Sequence, residues 1–161
     1  MAGVCVTTGR LFPRLMWALV GLAACLAACN PSPKSLTVEM TGRKFQWHIR
    51  YPGSDGRLKT ADDIYALGNL YLPVHTKTTI QLTSDDFIYT LSLPEMGVKE
   101  MAVPEMFFFM AFETDSVGTF DLLGDQLCGY AHKSLMKRLI VQSQVDFEAW
   151  LNQMQSRAGR N

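Results

Sequence analysis

The chain has few residues of the kinds that metal sites and disulfide frameworks require. Only four cysteines and three histidines occur among 161 residues. Three of the cysteines stand within the first 29 residues, so Cys128 is the only cysteine in the rest of the chain. A single thiol excludes an intramolecular disulfide in that part of the chain. It also leaves a metal site there short of soft ligands.

The chain also lacks an excess of charge of either sign. Fifteen basic residues are balanced by fifteen acidic residues. Proteins that bind nucleic acid usually carry a basic patch, so nothing here indicates nucleic acid as a partner. Internal repeats and low-complexity runs are absent as well, and about 130 residues after the N-terminal region are near the usual size of one compact domain.

The N-terminal region has the pattern of an export signal. Arg10 and Arg14 precede an apolar run over residues 15–28. The run is long enough for the core of a signal peptide but shorter than the ~20 residues of a membrane-spanning helix. It ends in Leu26-Ala27-Ala28-Cys29, which resembles a bacterial lipobox. We therefore predict that residues 1–28 are a lipoprotein signal peptide and that Cys29 becomes lipidated.

Cys25 ends a similar pattern, but only Cys29 is followed at once by polar residues, which we expect to form a tether over residues 29–35. A plain signal peptide or a short membrane anchor is the alternative interpretation. Removal of residues 1–28 would take away two arginines and leave 15 − 2 = 13 basic and 15 acidic residues, a net charge of −2. The expected location is the bacterial cell envelope, with the chain anchored by lipid and facing the periplasm.

Short β-type segments separated by turn residues dominate the rest of the chain. Residues 36–40, for example, alternate between apolar and polar with a period of two. Recurring segments of this kind favour an all-β sandwich over alternating strands and helices. The segments predicted to be extended are 36–40, 43–51, 69–74, 78–82, 87–93, 106–113, 119–123 and 137–142.

One helix is predicted, at the C-terminal end of the domain over residues 145–154. Ser143 precedes it and is a suitable N-cap. We therefore place the domain at residues 36–155 and treat residues 156–161 as a tail. The apolar residues with the i, i+3, i+4, i+7 spacing of a helix face are Phe147, Trp150, Leu151 and Met154.

One stretch of the sequence resembles a copper-binding loop. It reads Gly124-Asp125-Gln126-Leu127-Cys128-Gly129-Tyr130-Ala131-His132-Lys133-Ser134-Leu135. It is similar to the binuclear copper (CuA) loop of cytochrome c oxidase subunit II, whose pattern is Cys-x-Glu-x-Cys-Gly-x-x-His-x-x-Met. Residues 45–53, 82–86 and 118–121 resemble other parts of the same periplasmic domain, in the same order. The resemblance implies a cupredoxin-like Greek-key β-sandwich with a short C-terminal helix.

The match at the ligand positions is partial. Cys128 and His132 stand where the family has its second cysteine and its loop histidine. A binuclear copper centre needs two bridging thiolates, and this loop offers one, so we do not expect the centre to form. The residues at the lost ligand positions are Tyr89, Gly124, Gln126 and Leu135, where the family has the upstream histidine, the first cysteine, the glutamate and the methionine.

Two interpretations of the remaining ligands stay open. Cys128 and His132 could hold a single copper ion, in which case the chain is a redox protein or a copper carrier. Alternatively, Cys128 is a small buried hydrophobe and His132 a hydrogen-bonded loop residue. We favour the second interpretation, because a third strong ligand is missing, and we therefore expect no cofactor.

The resemblance implies a partner as well as a fold. The family's copper domain receives electrons from cytochrome c and passes them to the heme-copper subunit. Without the copper, this chain is expected to be a non-conducting accessory subunit that binds integral-membrane oxidase subunits, or subunits of a related respiratory complex. The alternative that the family name implies is an electron-transfer subunit with cytochrome c as a partner. In neither case is the chain catalytic on its own.

Two further stretches suggest function. Asp55, Asp62 and Asp63 gather carboxylates in one loop, which suits calcium but is also common in solvated turns. The run over residues 106–112 is apolar without alternation. Such a run is typical of a strand buried on both faces, and an exposed part of it would instead mark a docking surface for a membrane partner.

Overall fold

The computed structural model of the chain describes residues 34–126 and 133–158. Within these residues, ten strands form two five-stranded sheets and one α-helix follows the last strand. Single turns of 3₁₀-helix lie at Pro94–Met96 and Lys133–Leu135. The main elements are β1 (Lys34–Arg43), β2 (Gln46–Tyr51), β3 (Ile64–Leu67), β4 (Leu70–Pro73), β5 (Thr76–Ser84), β6 (Tyr89–Leu93), β7 (Val98–Ala102), β8 (Phe108–Thr114), β9 (Gly118–Gln126), β10 (Lys137–Gln142) and α1 (Gln144–Ala158).

The strands are ordered β3-β2-β1-β5-β8 in the first sheet and β4-β10-β9-β6-β7 in the second. The pairs β1–β5 and β4–β10 are parallel, whereas the other neighbours are antiparallel. The prediction of an all-β sandwich with a C-terminal helix is thereby confirmed. β6 and β9 are neighbours in the second sheet, which brings Tyr89, at the upstream ligand position, beside the end of β9.

The core lies between the two sheets and is built from alternate residues of each strand. Trp47, Ile49 and Tyr51 point inward along β2 and are fully buried or nearly so. The same alternation runs along β5, from Thr76 to Ser84. Each large apolar side chain buried in this way contributes about 1.5–3 kcal/mol relative to an exposed one. The period-two pattern of the sequence therefore fixes which face of each strand enters the core.

Helix α1 is held at its first turn and by its aromatic face. The Asp146 amide donates a hydrogen bond of 3.2 Å to Ser143 Oγ, which confirms the predicted N-cap. The Trp150 ring stacks on Tyr71, with 4.4 Å between ring centroids, and meets Tyr51 edge-on at 5.1 Å. These contacts pack the helix against both sheets. No helix among the described residues is long and apolar enough to cross a membrane.

Several boundaries differ from the sequence prediction. β1 begins at Lys34, inside the expected tether, because residues 34 and 35 pair with the first residues of β5. α1 extends to Ala158, into the expected tail. The sequence prediction missed β3 and β7, each of which lies at an edge of its sheet. Edge strands are often short and charged, so their alternation is weak.

Candidate functional site

The structure brings together the lost ligand positions that it describes. Tyr89 opens β6, and its backbone pairs with that of Gln126 near the end of β9. Gly124 lies two residues earlier in β9 and is buried. Leu135 ends the 3₁₀ turn after the loop and is also buried. The retained Cys128 and His132 lie outside the described residues, as does Cys29.

The position of the first cysteine is closed by its neighbours. A Cβ atom on Gly124 would lie 2.9 Å from each of three atoms: Leu135 Cβ, the Leu135 carbonyl oxygen and Trp47 Nε1. The indole N–H of Trp47 donates a hydrogen bond of 3.0 Å to that same carbonyl oxygen. A longer side chain at residue 124 would require the backbone at Leu135 or the buried indole to move. A side chain at residue 124, including that of a bridging cysteine, therefore does not fit without such a shift.

Tyr89 fills the position of the upstream histidine and packs by its ring. A Cβ atom on Gly42 would lie 2.4 Å from Tyr89 Cδ2, so the ring lies directly on the backbone of β1. Trp47 and Phe45 both contact the ring edge-on, with centroids 6.0 Å away. Burial, reinforced by a hydrogen bond to Asp86, raises the pKa of Tyr89 to about 12. The phenol stays protonated at neutral pH, which makes it a poor metal ligand compared with imidazole.

The Tyr89 hydroxyl forms part of a hydrogen-bonded cluster around Asp86. It donates a bond of 2.7 Å to Asp86 Oδ1. The same carboxylate accepts bonds from the amides of Lys44, at 2.7 Å, and Phe87, at 2.8 Å. Burial works to raise the pKa of Asp86, but the hydrogen bonds from Lys44, Tyr89 and Phe87 hold it below its usual value. The carboxylate is thus ionised at neutral pH, and both of its oxygens accept hydrogen bonds from within the protein.

Sequence reasoning did not assign roles to three residues of this region. Trp47 and Asp86 stand in stretches that resemble the family, Gly42 stands outside them, and none of the three corresponds to a ligand. One signal was present: the hairpin turn between β1 and β2 has no Asn-Gly or similar pair, and such a turn needs support from outside itself. The contacts that supply this support join residues about 40 positions apart, which spacing alone does not reveal.

The acidic loop between β2 and β3 uses its carboxylates internally. Asp62 accepts hydrogen bonds from the hydroxyls of Thr60 and Ser54, both at 2.8 Å, and these lower its pKa to about 2. Asp55 accepts from the Arg57 amide at 2.8 Å. Within residues 34–126 and 133–158, no group of three or more His, Cys, Asp or Glu side chains is placed to hold a metal ion. The loop carboxylates serve as acceptors that hold the turn.

A groove of about 580 Å³ crosses the outer face of the first sheet. Its floor contains Glu39, whose carboxylate lies 3.2 Å from Arg50 Nη1 and 3.3 Å from Lys59 Nζ. The Lys59 ammonium also lies 4.6 Å from the centre of the Phe107 ring. The charges that line the groove are therefore largely paired with each other, and the loops on its two sides are joined across it.

The apolar run over residues 106–112 is not buried on both faces. Within β8, Met110 and Phe112 point into the core, whereas Phe109 is 60% exposed. Met106 and Phe107, which precede the strand, are also exposed. Phe109 alternates with the buried Met110 and Phe112 and so lies on the outer face of the first sheet. We call Met106, Phe107 and Phe109 the aromatic face of the domain.

Comparison with known proteins identifies the family. A model of the cytochrome c oxidase subunit II periplasmic domain matches residues 55–144. The chain belongs to this family. The resemblance on which the sequence analysis relied is thereby confirmed, and membership of a family of periplasmic domains implies a location facing the periplasm.

The relatives give the extent of the match. The alternative cytochrome c oxidase subunit 2 of Bradyrhizobium diazoefficiens is 32% identical over 144 residues, which cover 76% of this chain and 52% of that protein. Cytochrome c oxidase subunit 2 of Thermostichus vulcanus is 27% identical over 137 residues, or 85% of this chain and 38% of that protein. The chain therefore spans about half the length of the first relative and less of the second.

Solved structures share the fold. The periplasmic domain of subunit II of cytochrome oxidase from Bradyrhizobium japonicum superposes with a TM-score of 0.65 at 23% identity, over 76% of this chain and 94% of that one. A chain of a heme-copper terminal oxidase dimer matches with a TM-score of 0.50 at 15% identity, over 80% of this chain and 92% of that one. At these identities the likeness concerns the fold alone.

Proposed function

We propose that the chain is a non-conducting accessory subunit of a respiratory heme-copper oxidase or a related membrane complex. Its membership of the subunit II family supports the respiratory setting. The non-conducting role rests on one observation, the closed position at Gly124. The proposed task of the domain is to bind neighbouring subunits through its surface.

The donors do not fit a binuclear copper centre. Two thiolates must bridge the metals of such a centre, and Gly124 has no side chain, while the space next to it is filled by Leu135 and Trp47. Tyr89 supplies a protonated phenol whose hydroxyl is already bonded to Asp86. Leu135 supplies no thioether and is fully buried. No electron-transfer step is therefore assigned to this site.

The aromatic face is the proposed docking surface, and an integral-membrane oxidase subunit is its proposed partner. Exposed Phe and Met side chains are typical of the centres of protein interfaces. The predicted lipid at Cys29 would hold the domain at the membrane surface, where such a partner is within reach. A domain anchored in this way needs only modest affinity, because anchoring raises the effective concentration of the two proteins.

The proposal that no binuclear copper centre forms is tested with the purified full chain. Copper is added under reducing conditions, excess copper and reductant are removed, and a mild oxidant is added before metal content, optical absorption and electron paramagnetic resonance are recorded. We expect no signal from an unpaired electron shared between two copper nuclei. Such a signal would identify a conducting subunit and overturn the proposal.

The same titration distinguishes the remaining alternative. Tight binding of one copper per chain, abolished by both Cys128→Ser and His132→Ala, would identify a single-copper carrier or redox protein and would also overturn the proposal. His75→Ala, which changes a histidine in the turn before β5, is the matched control and should leave any copper binding unchanged. Copper uptake that neither loop substitution affects is non-specific and agrees with a metal-free domain.

A further inference from the structure

The hydroxyl of Tyr89 joins two loops at one end of the sandwich. It donates to Asp86 in the loop between β5 and β6, with 2.7 Å between the oxygens. It also accepts a bond of 3.3 Å from the Phe45 amide in the turn between β1 and β2. Asp86 reaches the same turn directly, because its Oδ2 accepts from the Lys44 amide at 2.7 Å. Tyr89 and Asp86 thus form one bridge between the two loops.

The turn on the far side of this bridge is strained. Lys44 and Phe45 have φ values of 49° and 58°, in the left-handed region. Two-residue hairpin turns with this backbone normally contain Asn-Gly or a similar pair, because larger L residues rarely adopt it. Strained backbone of this kind persists only where surrounding contacts determine it. The hydrogen bonds to Asp86 and Tyr89 are contacts of that kind.

The other side of Tyr89 connects the bridge to the lost ligand positions. Its ring lies on Gly42 and against the edge of Trp47. Trp47 in turn donates to the Leu135 carbonyl oxygen, beside Gly124. A continuous series of contacts within the polypeptide therefore runs from the hairpin turn to the end of the 3₁₀ turn. It includes Tyr89 and Leu135 and passes beside Gly124, which are three of the positions where the family has its ligands.

We infer that Tyr89 is a positioning residue which, together with Asp86, ties the β1–β2 turn to the β5–β6 loop and fixes this end of the domain without a metal. The tie also sets the place of Phe87, which stacks on Phe45 with 5.6 Å between ring centroids. The inference does not rest on the docking role. It concerns what holds the loops, whatever partner the domain binds.

The test is hydrogen exchange of individual amides in the full chain, with and without a metal chelator. Tyr89→Phe keeps the ring and removes only the hydroxyl. We expect the Lys44 and Phe45 amides to exchange about tenfold faster in this variant, the effect of losing about one hydrogen bond. The Phe147 amide in α1, which is bonded to the Ser143 carbonyl oxygen, should be unchanged and reports that the fold is intact. Wild-type exchange should be the same with and without chelator.

Two controls separate the tie from general packing. Tyr65→Phe removes a hydroxyl from an exposed tyrosine of β3 and should leave both turn amides unaffected. Asp86→Asn should reproduce the effect of Tyr89→Phe, whereas Asp85→Asn should not. In the double variant of Tyr89 and Asp86, the acceleration should be smaller than the product of the two single effects.

Three outcomes would overturn the inference. They are unchanged exchange of both turn amides in Tyr89→Phe, single effects of Tyr89 and Asp86 that simply multiply, and loss of wild-type protection on chelation. None of these readings involves a partner protein. A failure of the tie is therefore distinguishable from a failure of the proposed docking function.

Discussion

Two glycines make room for the large side chains that fill the former ligand positions. The Tyr89 ring packs directly on Gly42, and Leu135 and the indole of Trp47 pack directly on Gly124. In each case the neighbouring side chain leaves no room for a Cβ atom, because a Cβ added to either glycine would lie less than 3.0 Å from it. The sequence shows that residue 124 has no side chain and that residue 89 is a tyrosine where the family has a histidine. It does not show which residues take the vacant space, because that depends on contacts between distant strands.

The residue-scale prediction is that Gly124→Ala destabilises the domain. The added methyl group meets the backbone oxygen of Leu135 and a buried indole, neither of which can move freely. Overpacking of this kind costs about 1–3 kcal/mol in the free energy of unfolding, which urea denaturation followed by fluorescence measures. Gly118→Ala in the same strand is the control, because its methyl group meets only the rim of the Phe120 ring at 3.1 Å. Equal free energies of unfolding for Gly124→Ala and Gly118→Ala would contradict the claim that residue 124 has no room for a side chain.

At the scale of single elements, the apolar run over residues 106–112 is partly core and partly surface. Its inward residues Met110 and Phe112 are buried, and its outward residue Phe109 is exposed on the outer face of the sheet. The sequence left both interpretations open, since an apolar run without alternation does not show whether one face of a strand or both are covered. By contrast, the helix and its Ser143 cap were predictable, because capping and helical spacing are local.

The element-scale prediction concerns the aromatic face. Phe109→Ser and Phe107→Ser should reduce the recovery of membrane oxidase subunits in a pull-down with the full chain by about fivefold or more, if each is a central contact worth more than about 1 kcal/mol. Leu67→Ser is the matched control, since Leu67 is a similarly exposed apolar residue on β3 at the opposite edge of the same sheet. Recovery that the two Phe substitutions leave unchanged would rule out this face as the docking surface.

At the scale of the whole molecule, the β-sandwich could be predicted because many separate parts of the sequence indicate it. Many short alternating segments and several family-like motifs, spread over most of the domain, indicate the same fold, so the two missed edge strands do not alter the conclusion. The site could be predicted only in part, because a metal centre depends on a few particular side chains. Cys128 and His132 remain sequence predictions, as do the signal peptide and the tether.

The whole-molecule prediction is that the chain is anchored through Cys29. Cys29→Ser should abolish incorporation of labelled fatty acid and leave an unprocessed precursor, because lipid attachment requires the thiol. Cys25→Ser is the control and should leave labelling unchanged. The reverse pattern would move the mature start to Cys25, and labelling absent from the wild-type chain would refute the lipid anchor.

The closed position at Gly124 also has a consequence for the order of events in assembly. Where a metal joins the loops of a domain, part of its folding free energy comes from metal binding, so the final structure waits for delivery of the ion. Here the Trp47–Leu135 hydrogen bond and the packing around Gly124 join the same segments within the polypeptide. On the proposed metal-free role, we expect the domain to complete its fold without copper and its abundance not to follow the supply of copper in the compartment.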